Sequence, residues 1–449
     1  MKRTDTGVAI LAAVMLAMWS GSGFGSDIET LQRENEELRQ RLEKLERELE
    51  TLRQEVRGGR PPAGEFSEAE TKRLKELAAR PGTGIRAGLD VRLYGYVKLD
   101  AAYDDSRVSV GNFARWVESE SVLRDDEHFN MTVNQTRLGL EITGPGSETF
   151  RSGGKVEVDF YGAGAGENRP EPMLRLAYMQ LDWQKSGWQV LAGQAADIIS
   201  PLAPTTVNYS VGWWQGNIGY RRPQLRVTKT IPVTDTVSMK CEAGILRTIT
   251  GRKFVFKEAT DPDTGADAGF PTVAGRWSVS ANVSDAGTAT LGVSAHYGQE
   301  EQHRADLSGV LEYDTWSANV DLRVPITRWL LVQGEVFIGE DLDSYLGGIG
   351  QGVNLTAEAE IQSWGGWGAL TLTPHLAWQF NLGGGLDNPR NPDVPNAGRT
   401  ANWFVFGNVF YTLTSDLQLA FEVMHLRTTY RNLADGAAWR QQLALIYKF

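Results

Sequence analysis

Two periodicities divide the chain. Between Asp27 and Arg57, Ile28, Leu31, Asn35, Leu38, Leu42, Leu45, Leu49, Leu52 and Val56 recur at alternating spacings of three and four, with Glu and Arg between them. That is a heptad seam held for four heptads. A lone helix would leave its leucines in water, so the pattern predicts a coiled coil pairing with copies of itself. Asn35 on the seam sets register at some cost in stability, and leucine at both seam positions leaves two and three strands equally open.

From Leu89 to the end the period is two. In Val91 to Asp100, Val91, Leu93, Val97 and Leu99 alternate with Arg92, Tyr94, Tyr96, Lys98 and Asp100. Arg137 and Glu141 alternate with Leu138, Leu140 and Ile142, and Glu157 and Asp159 with Val156, Val158 and Phe160. Asn319, Asp321 and Arg323 alternate with Val320, Leu322 and Val324, and Gln333 and Glu335 with Val332, Val336 and Ile338. One face of each strand is apolar, and the other repeatedly carries charges of both signs. A soluble sandwich would bury its apolar face against a second sheet, whereas charged rows suit a water-filled interior.

The last strand repeats the pattern and ends on an aromatic. Leu443, Leu445, Tyr447 and Phe449 share one face, with Arg440, Gln442 and Lys448 on the other. An apolar-out, polar-in strand ending in aromatics predicts the closing strand of a barrel in lipid, a signal that assembly machinery can read. Between 15 and 18 strand segments can be marked, and a bacterial barrel of this kind needs an even number. We therefore expect an all-β transmembrane β-barrel of about 16 antiparallel strands, preceded by the α-helical coiled coil.

The front of the chain agrees. Lys2 and Arg3 precede an apolar stretch, Val8 to Trp19, and then small residues, which reads as a secretory signal over 1–25. The stretch is too short to span a bilayer, which takes about 20 residues. The coiled-coil segment follows at 26–57, and Gly58-Gly59-Arg60-Pro61-Pro62 stops it. A short helix with a Ser67/Glu70 capping box lies within the 58–88 linker, and the barrel is expected over 89–449. The expected location is the outer membrane of a Gram-negative cell, with the coil in the periplasm and lipid and lipopolysaccharide around the wall. Turns at 185–187, 232–236, 371–374 and 414–415 would face the periplasm. Segments 104–127, 256–271, 340–352 and 383–400 would face outside.

Composition refines this picture without changing it. One cysteine, Cys241, leaves no intrachain disulfide, and its neighbours make it a small apolar residue. From residue 89 on there are 41 acidic and 30 basic residues, so the whole net charge of −11 falls there, which argues against a nucleic-acid partner. Much of the acid falls in the expected outer loops: Asp104, Asp105, Glu118, Glu120, Asp125, Asp126, Glu127, Asp261, Asp263, Glu300, Glu301, Asp341 and Asp343. Such loops could share divalent cations with lipopolysaccharide or repel anions at the mouth.

Of the 30 basic residues 22 are arginine, whose planar fork grips carboxylates. The parity places Arg92, Lys98, Arg137, Arg226 and Arg323 in the lumen. Arg221 and Arg222 stand beside the long segment 194–219, which holds Pro201, Pro204 and Trp213-Trp214 and is long enough to fold inward and narrow a pore. These basic groups would favour small anions, or pair with Asp100, Glu141, Glu157, Asp159 and Glu335 to stabilise a wet wall.

Several runs resemble DcaP-like outer-membrane porins: Leu93 to Asp100, Arg175 to Tyr178 with Leu191 to Gln194, Pro201 to Pro204 through Asn208, and Gly219 to Arg226. The resemblance covers roughly Asp27 to Arg226; beyond it only strand texture and Phe449 agree. It implies a homotrimeric 16-stranded diffusion channel with a periplasmic coiled coil, passing small anionic solutes such as dicarboxylates.

Two other classes compete. An enzyme would need a nucleophile and a base, yet His128, His296, His303, His375 and His425 fall in no nucleophile or metal-ligand spacing, so no catalytic residue, metal or cofactor is expected. A structural anchor could use the coil to bind a periplasmic or cell-wall partner. About sixteen strands are far more than an anchor needs and enough to leave a channel.

Overall fold

A computed structural model describes residues 89–449 apart from 123–125, 145, 148, 163–169, 250–267 and 304–309. The expected signal, coiled coil and linker lie outside the described residues. Alternating apolar and polar positions favour strands because successive side chains then reach opposite media. The strands run β1 (Asp90–Asp104), β2, β3 (Arg151–Asp159), β4 (Met173–Trp183), β5 (Trp188–Ala196), β6 (Arg221–Pro232), β7 (Val237–Leu246) and β8 (Thr272–Asn282). They continue with β9 (Thr288–His303), β10 (Val310–Thr327), β11 (Leu330–Glu340), β12 (Gln362–His375), β13 (Trp378–Pro389), β14 (Arg399–Thr412), β15 (Leu417–Tyr430) and β16 (Gly436–Lys448).

Strand β2 is broken into His128–Thr132 and Arg137–Thr143. Both halves pair with β1, the first against Asp100–Asp104 and the second against Asp90–Tyr96, so they form one crossing. Each strand is antiparallel to the next, and β16 pairs with β1 from Tyr96↔Lys448 to Asp104↔Arg440. The sixteen strands thus close, which leaves no edge with unpaired backbone groups. Phe449 completes the seam: its N–H donates to the Gly95 carbonyl at 3.1 Å, and its carbonyl accepts from the Gly95 N–H at 3.0 Å.

The outward face is apolar. Leu93, Val97, Leu138, Leu140, Val320, Leu322, Val336, Leu445 and Tyr447 are exposed there, Leu93 by 61%. In a soluble protein so much exposed apolar surface would be a liability; facing lipid it is the driving force for insertion. Cys241 is exposed on this face, opposite Trp277.

Connections alternate between short turns and long loops. The expected turns at 185–187, 232–236 and 414–415 lie at strand ends, but 371–374 lies within β12, because the bend comes two residues later, before Trp378. Strand β13 runs to Pro389, so the loop expected at 383–400 is confined to 390–398. Glu300 and Glu301, placed in a loop by their charge, belong to β9, whose ladder with β10 runs on to His303↔Val310.

Candidate functional site: a lumen narrowed by three loops

Three loops turn inward: L1 (105–127), L3 (197–220) and L6 (341–361). They meet a wall that offers both an apolar patch, which packing removes from water, and polar groups that bind loop backbone. Phe404, Phe406, Met424, Leu426 and Ala438 face the interior from β14 to β16 and pack with Val108, Ala114 and Val117 of L1. The inner face of these strands is therefore mixed: the apolar patch lies among inward polar groups, Asn408, Glu422, Arg440 and Gln442, as the alternation of the last strand requires. A side chain there points to the inside of the barrel, and the loops remove it from water.

L3 follows the wall hand over hand. Its Leu202 N–H donates to Glu335 of β11 at 2.7 Å, and its Thr205 carbonyl accepts from Asn408 of β14 at 2.8 Å. The Val207 and Asn208 N–H groups donate to Glu422 of β15 at 2.8 and 2.9 Å. Tyr209 then reaches Asp159 of β3 at 3.0 Å. At Gly216 the loop touches β12 and β13 so closely that a Cβ would lie 2.2 Å from the Gly366 carbonyl oxygen, and φ is +115°; glycine alone fits. L6 enters beside it. Its Leu346 and Tyr345 carbonyls accept from the Trp214 and Gly219 N–H groups at 2.7 and 2.8 Å. Tyr345 is held between His296, 3.9 Å away ring to ring, and Arg222, 3.8 Å from its ring.

The opposite wall, from β1 to β10, is charged and internally paired. Arg175 bridges Glu157 at 2.8 Å and Asp159 at 2.6 Å, and Arg137 lies 3.5 Å from Glu157. Arg276 joins Asp321 at 2.7 Å and Glu242 at 3.3 Å, and Arg226 lies 3.6 Å from Glu242. Arg92 pairs with Glu141 at the turn end. Arg175–Asp159 and Arg276–Asp321 are nearly withdrawn from water, so each carboxylate depends on its arginine for compensation, whereas Arg92–Glu141 is exposed and adds little stability.

The positions of the expected lumen residues follow from these contacts. Arg92, Arg137, Arg226 and Arg323 face the interior, Arg323 donating to the Thr288 carbonyl at 3.3 Å. Lys98 does not line the lumen. Only 3% exposed, it donates to the Val207 carbonyl at 2.9 Å and lies 3.1 Å from Asp100, because L3 covers it. Arg222 is likewise withdrawn: fully buried, it meets Asp197 at 2.8 and 3.2 Å and the Ser344 carbonyl at 3.3 Å. Arg221 is 7% exposed, stacked 4.4 Å over Tyr220.

Among the acidic partners, Asp100, Glu141, Glu157 and Asp159 do meet cations. Glu335 instead accepts from the Leu202 N–H of L3 and from Trp367 Nε1 of β12 at 3.1 Å, donors that stand where an arginine was expected. Leu443, Leu445, Tyr447 and Phe449 lie on the outward face. The core residues expected of the coil fall outside the described residues.

The residues that sequence parity missed lie on loops. Arg115 of L1 and Arg399 at the start of β14 sit over the Trp116 indole, 4.3 and 4.0 Å from its centroid. Arg115 also lies 5.3 Å from the Trp214 ring. Phe113, Tyr161, Tyr209 and Trp214 pack behind them, with Trp213 and Tyr220 alongside. Among the described residues, Arg115, Arg221 and Arg399 form no ion pair with a carboxylate, and Arg115 Nε and Arg221 Nη2 are buried without a hydrogen-bond partner. Burial, and then the neighbouring Arg399, bring the Arg115 guanidinium down to about 10. The Arg115-Trp116 pair was the available signal, but a loop has no parity to say where it points.

No protein-family model matches the chain, and no curated protein matches its sequence. Among solved structures, the fold is similar to the outer membrane channel DcaP of Acinetobacter baumannii, with a TM-score of 0.64 and 18% identity over 82% of this chain and 99% of that one. It is also similar to an anion-selective porin from Comamonas acidovorans, at TM-score 0.50 and 12% identity over 80% and 100% of the two chains. OmpT, an outer membrane protein of Vibrio cholerae, gives TM-score 0.50 and 10% identity over 82% and 100%. The chain is a closed 16-stranded antiparallel β-barrel of the porin fold.

Proposed function

We propose that the protein is an outer-membrane diffusion channel for small hydrophilic solutes, a distant relative of the DcaP-like porins, and that it favours small anions such as dicarboxylates. The observation that carries this reading is the pair Arg115 and Arg399 over Trp116, with no carboxylate in ion-pair distance among the described residues and Glu118 acting on both only from farther away, beside a wall whose charges are largely paired. A paired arginine presents little net field to a passing ion; an unpaired one attracts anions and holds a carboxylate through its fork. The anion-selective porin among the structural neighbours agrees with this reading.

In this reading the long loops face outside, where lipopolysaccharide surrounds the wall, and the short turns face the periplasm. Strand β16 with Phe449 is what the barrel-assembly machinery engages. Three copies associate through their walls, and the coil over 26–57 hangs in the periplasm. No cofactor or catalytic residue enters the mechanism. Single-channel recording of the purified protein in a planar bilayer tests it: under a KCl gradient the reversal potential should have the anion-selective sign, and succinate should interrupt the current. A cation-selective channel that succinate does not block would end the proposal.

A further inference from the structure

The wall carboxylate Glu422 has no role in the reading above, and its contacts lead to the arginine cluster. It faces inward from β15, between Ala420 and Met424 on the same face, and is 1% exposed. Both its oxygens are committed. Oε1 accepts from the Asn208 N–H at 2.9 Å, and Oε2 from the Val207 N–H and Asn408 Nδ2, each at 2.8 Å. The other side of the Val207 residue is held as well, since its carbonyl accepts from Lys98 Nζ at 2.9 Å and Gln442 Nε2 at 3.3 Å.

From there the chain of contacts crosses to L1. The Asn208 carboxamide takes the Ala114 N–H on Oδ1 at 3.1 Å and returns Nδ2 to the Ala114 carbonyl at 3.4 Å. Its Nδ2 also meets Ser210 Oγ at 2.7 Å, which fixes the amide's orientation. Ala114 is the residue before Arg115. The Arg115 carbonyl is held on its other flank by Gln215 Nε2 at 2.8 Å and Asn402 Nδ2 at 2.7 Å.

We propose that Glu422 is a positioning residue that sets the place of Arg115 in the lumen through Asn208 and Ala114. This rests on the reading that Arg115 contributes to anion preference. A carboxylate accepting three N–H donors holds its partners more firmly than a neutral group, and each link in the path is a directed hydrogen bond. The sign of the effect separates positioning from plain electrostatics. Removing a negative charge from the wall would by itself raise anion preference. Loss of positioning lowers it.

The test uses the full-length protein reconstituted in planar bilayers, with heat-modifiable gel migration as the check on folding. Reversal potentials under a KCl gradient are compared for the wild type, Glu422→Leu, Glu422→Gln, Asn208→Leu, Arg115→Gln and the Glu422→Leu/Arg115→Gln double variant. Arg115→Gln lowers the anion preference. Glu422→Leu and Asn208→Leu lower it comparably, Glu422→Gln less, and the double variant loses no more than Arg115→Gln alone. Asn208→Leu keeps the carboxylate and its backbone donors while cutting the link to L1 together with the Ser210 bond, so it decides the matter if Glu422→Leu fails to fold. An unchanged or raised anion preference in folded Glu422→Leu or Asn208→Leu, or additive losses in the double variant, overturns the proposal. If Arg115→Gln itself changes nothing, the anion-selective reading of this cluster falls, and the positioning role with it.

Discussion

Arg115 and Arg399 converge on one indole, with their guanidinium carbons 4.3 and 4.0 Å from the centroid of Trp116. Two cations placed this close repel unless something between them or beside them is negative. The π face of tryptophan supplies part of that, about 1 kcal/mol per contact. The Glu118 carboxylate acts on both guanidinium groups as well, and in the proposed channel a passing anion would be drawn by the charge that remains.

Neutralising either member should weaken anion preference without disturbing the barrel, because neither side chain takes part in the strand ladder. One unit charge about 4 Å from a solute is worth about 1 kcal/mol at the dielectric of water, or a factor of about five. Arg115→Gln and Arg399→Gln should each reduce the anion-to-cation permeability ratio by up to about that factor. Reversal potentials read it, and ratios equal to wild type in both variants would count against the cluster.

The same pair predicts a pH response. Burial and Arg399 bring Arg115 down to about 10, so its charge is present below that pH and is lost as pH rises through it. An unperturbed arginine would keep its charge throughout this range. Anion preference should therefore be constant at neutral pH and decline on approaching and passing about 10. The difference between wild type and Arg115→Gln should vanish over the same interval. A gap that persists well above it would refute the shift.

Arg222 carries a different prediction, because it is an anchor for L3 and L6 rather than a lumen group. Replacing it with leucine leaves Asp197 buried and uncompensated, and breaking such a pair by removing one partner typically costs about 3–5 kcal/mol. Unfolding of the refolded barrel in denaturant should show the loss. An Arg222→Leu/Asp197→Leu double variant should recover part of it, although the Tyr220 N–H then loses its acceptor, now 2.8 Å away. Equal stability of Arg222→Leu and wild type would contradict this assignment.

The coil and the barrel should contribute separately to assembly. Deleting residues 27–57 removes the whole heptad seam, yet the walls of three barrels offer extensive apolar surface of their own. Light scattering of the detergent-solubilised variant should still give a trimer mass. A monomer would mean that the coil drives assembly.

Most of the architecture could be read from alternation. Val91, Leu93, Val97 and Leu99 point outward as the period of two requires, and Arg92, Arg137, Asp159 and Asp321 point inward. Such inference is reliable for strands because parity is a local property of the backbone: once one residue's face is known, every second residue shares it. Closure and an even strand number follow from the same pattern, since an open edge has no place in lipid; the count of sixteen and the pairing of Phe449 with Gly95 came from the structure.

Parity says which face a side chain takes, but not what covers it. Lys98 and Arg323 both alternate inward, yet Lys98 disappears beneath L3 while Arg323 does not. Glu335 was matched to arginine by charge, but the loop reached it first with the Leu202 N–H. Arg115 and Arg399 were invisible to alternation because one lies in a loop and the other at a strand's first residue. Their meeting over Trp116 depends on how L1, L3 and L6 pack against an apolar inner wall. The strand pattern is written in the order of residues because neighbours in sequence set it. The constriction joins Glu422 and Ala114, 308 positions apart in sequence, through Asn208, and only the closed barrel brings both within a hydrogen bond of that one residue.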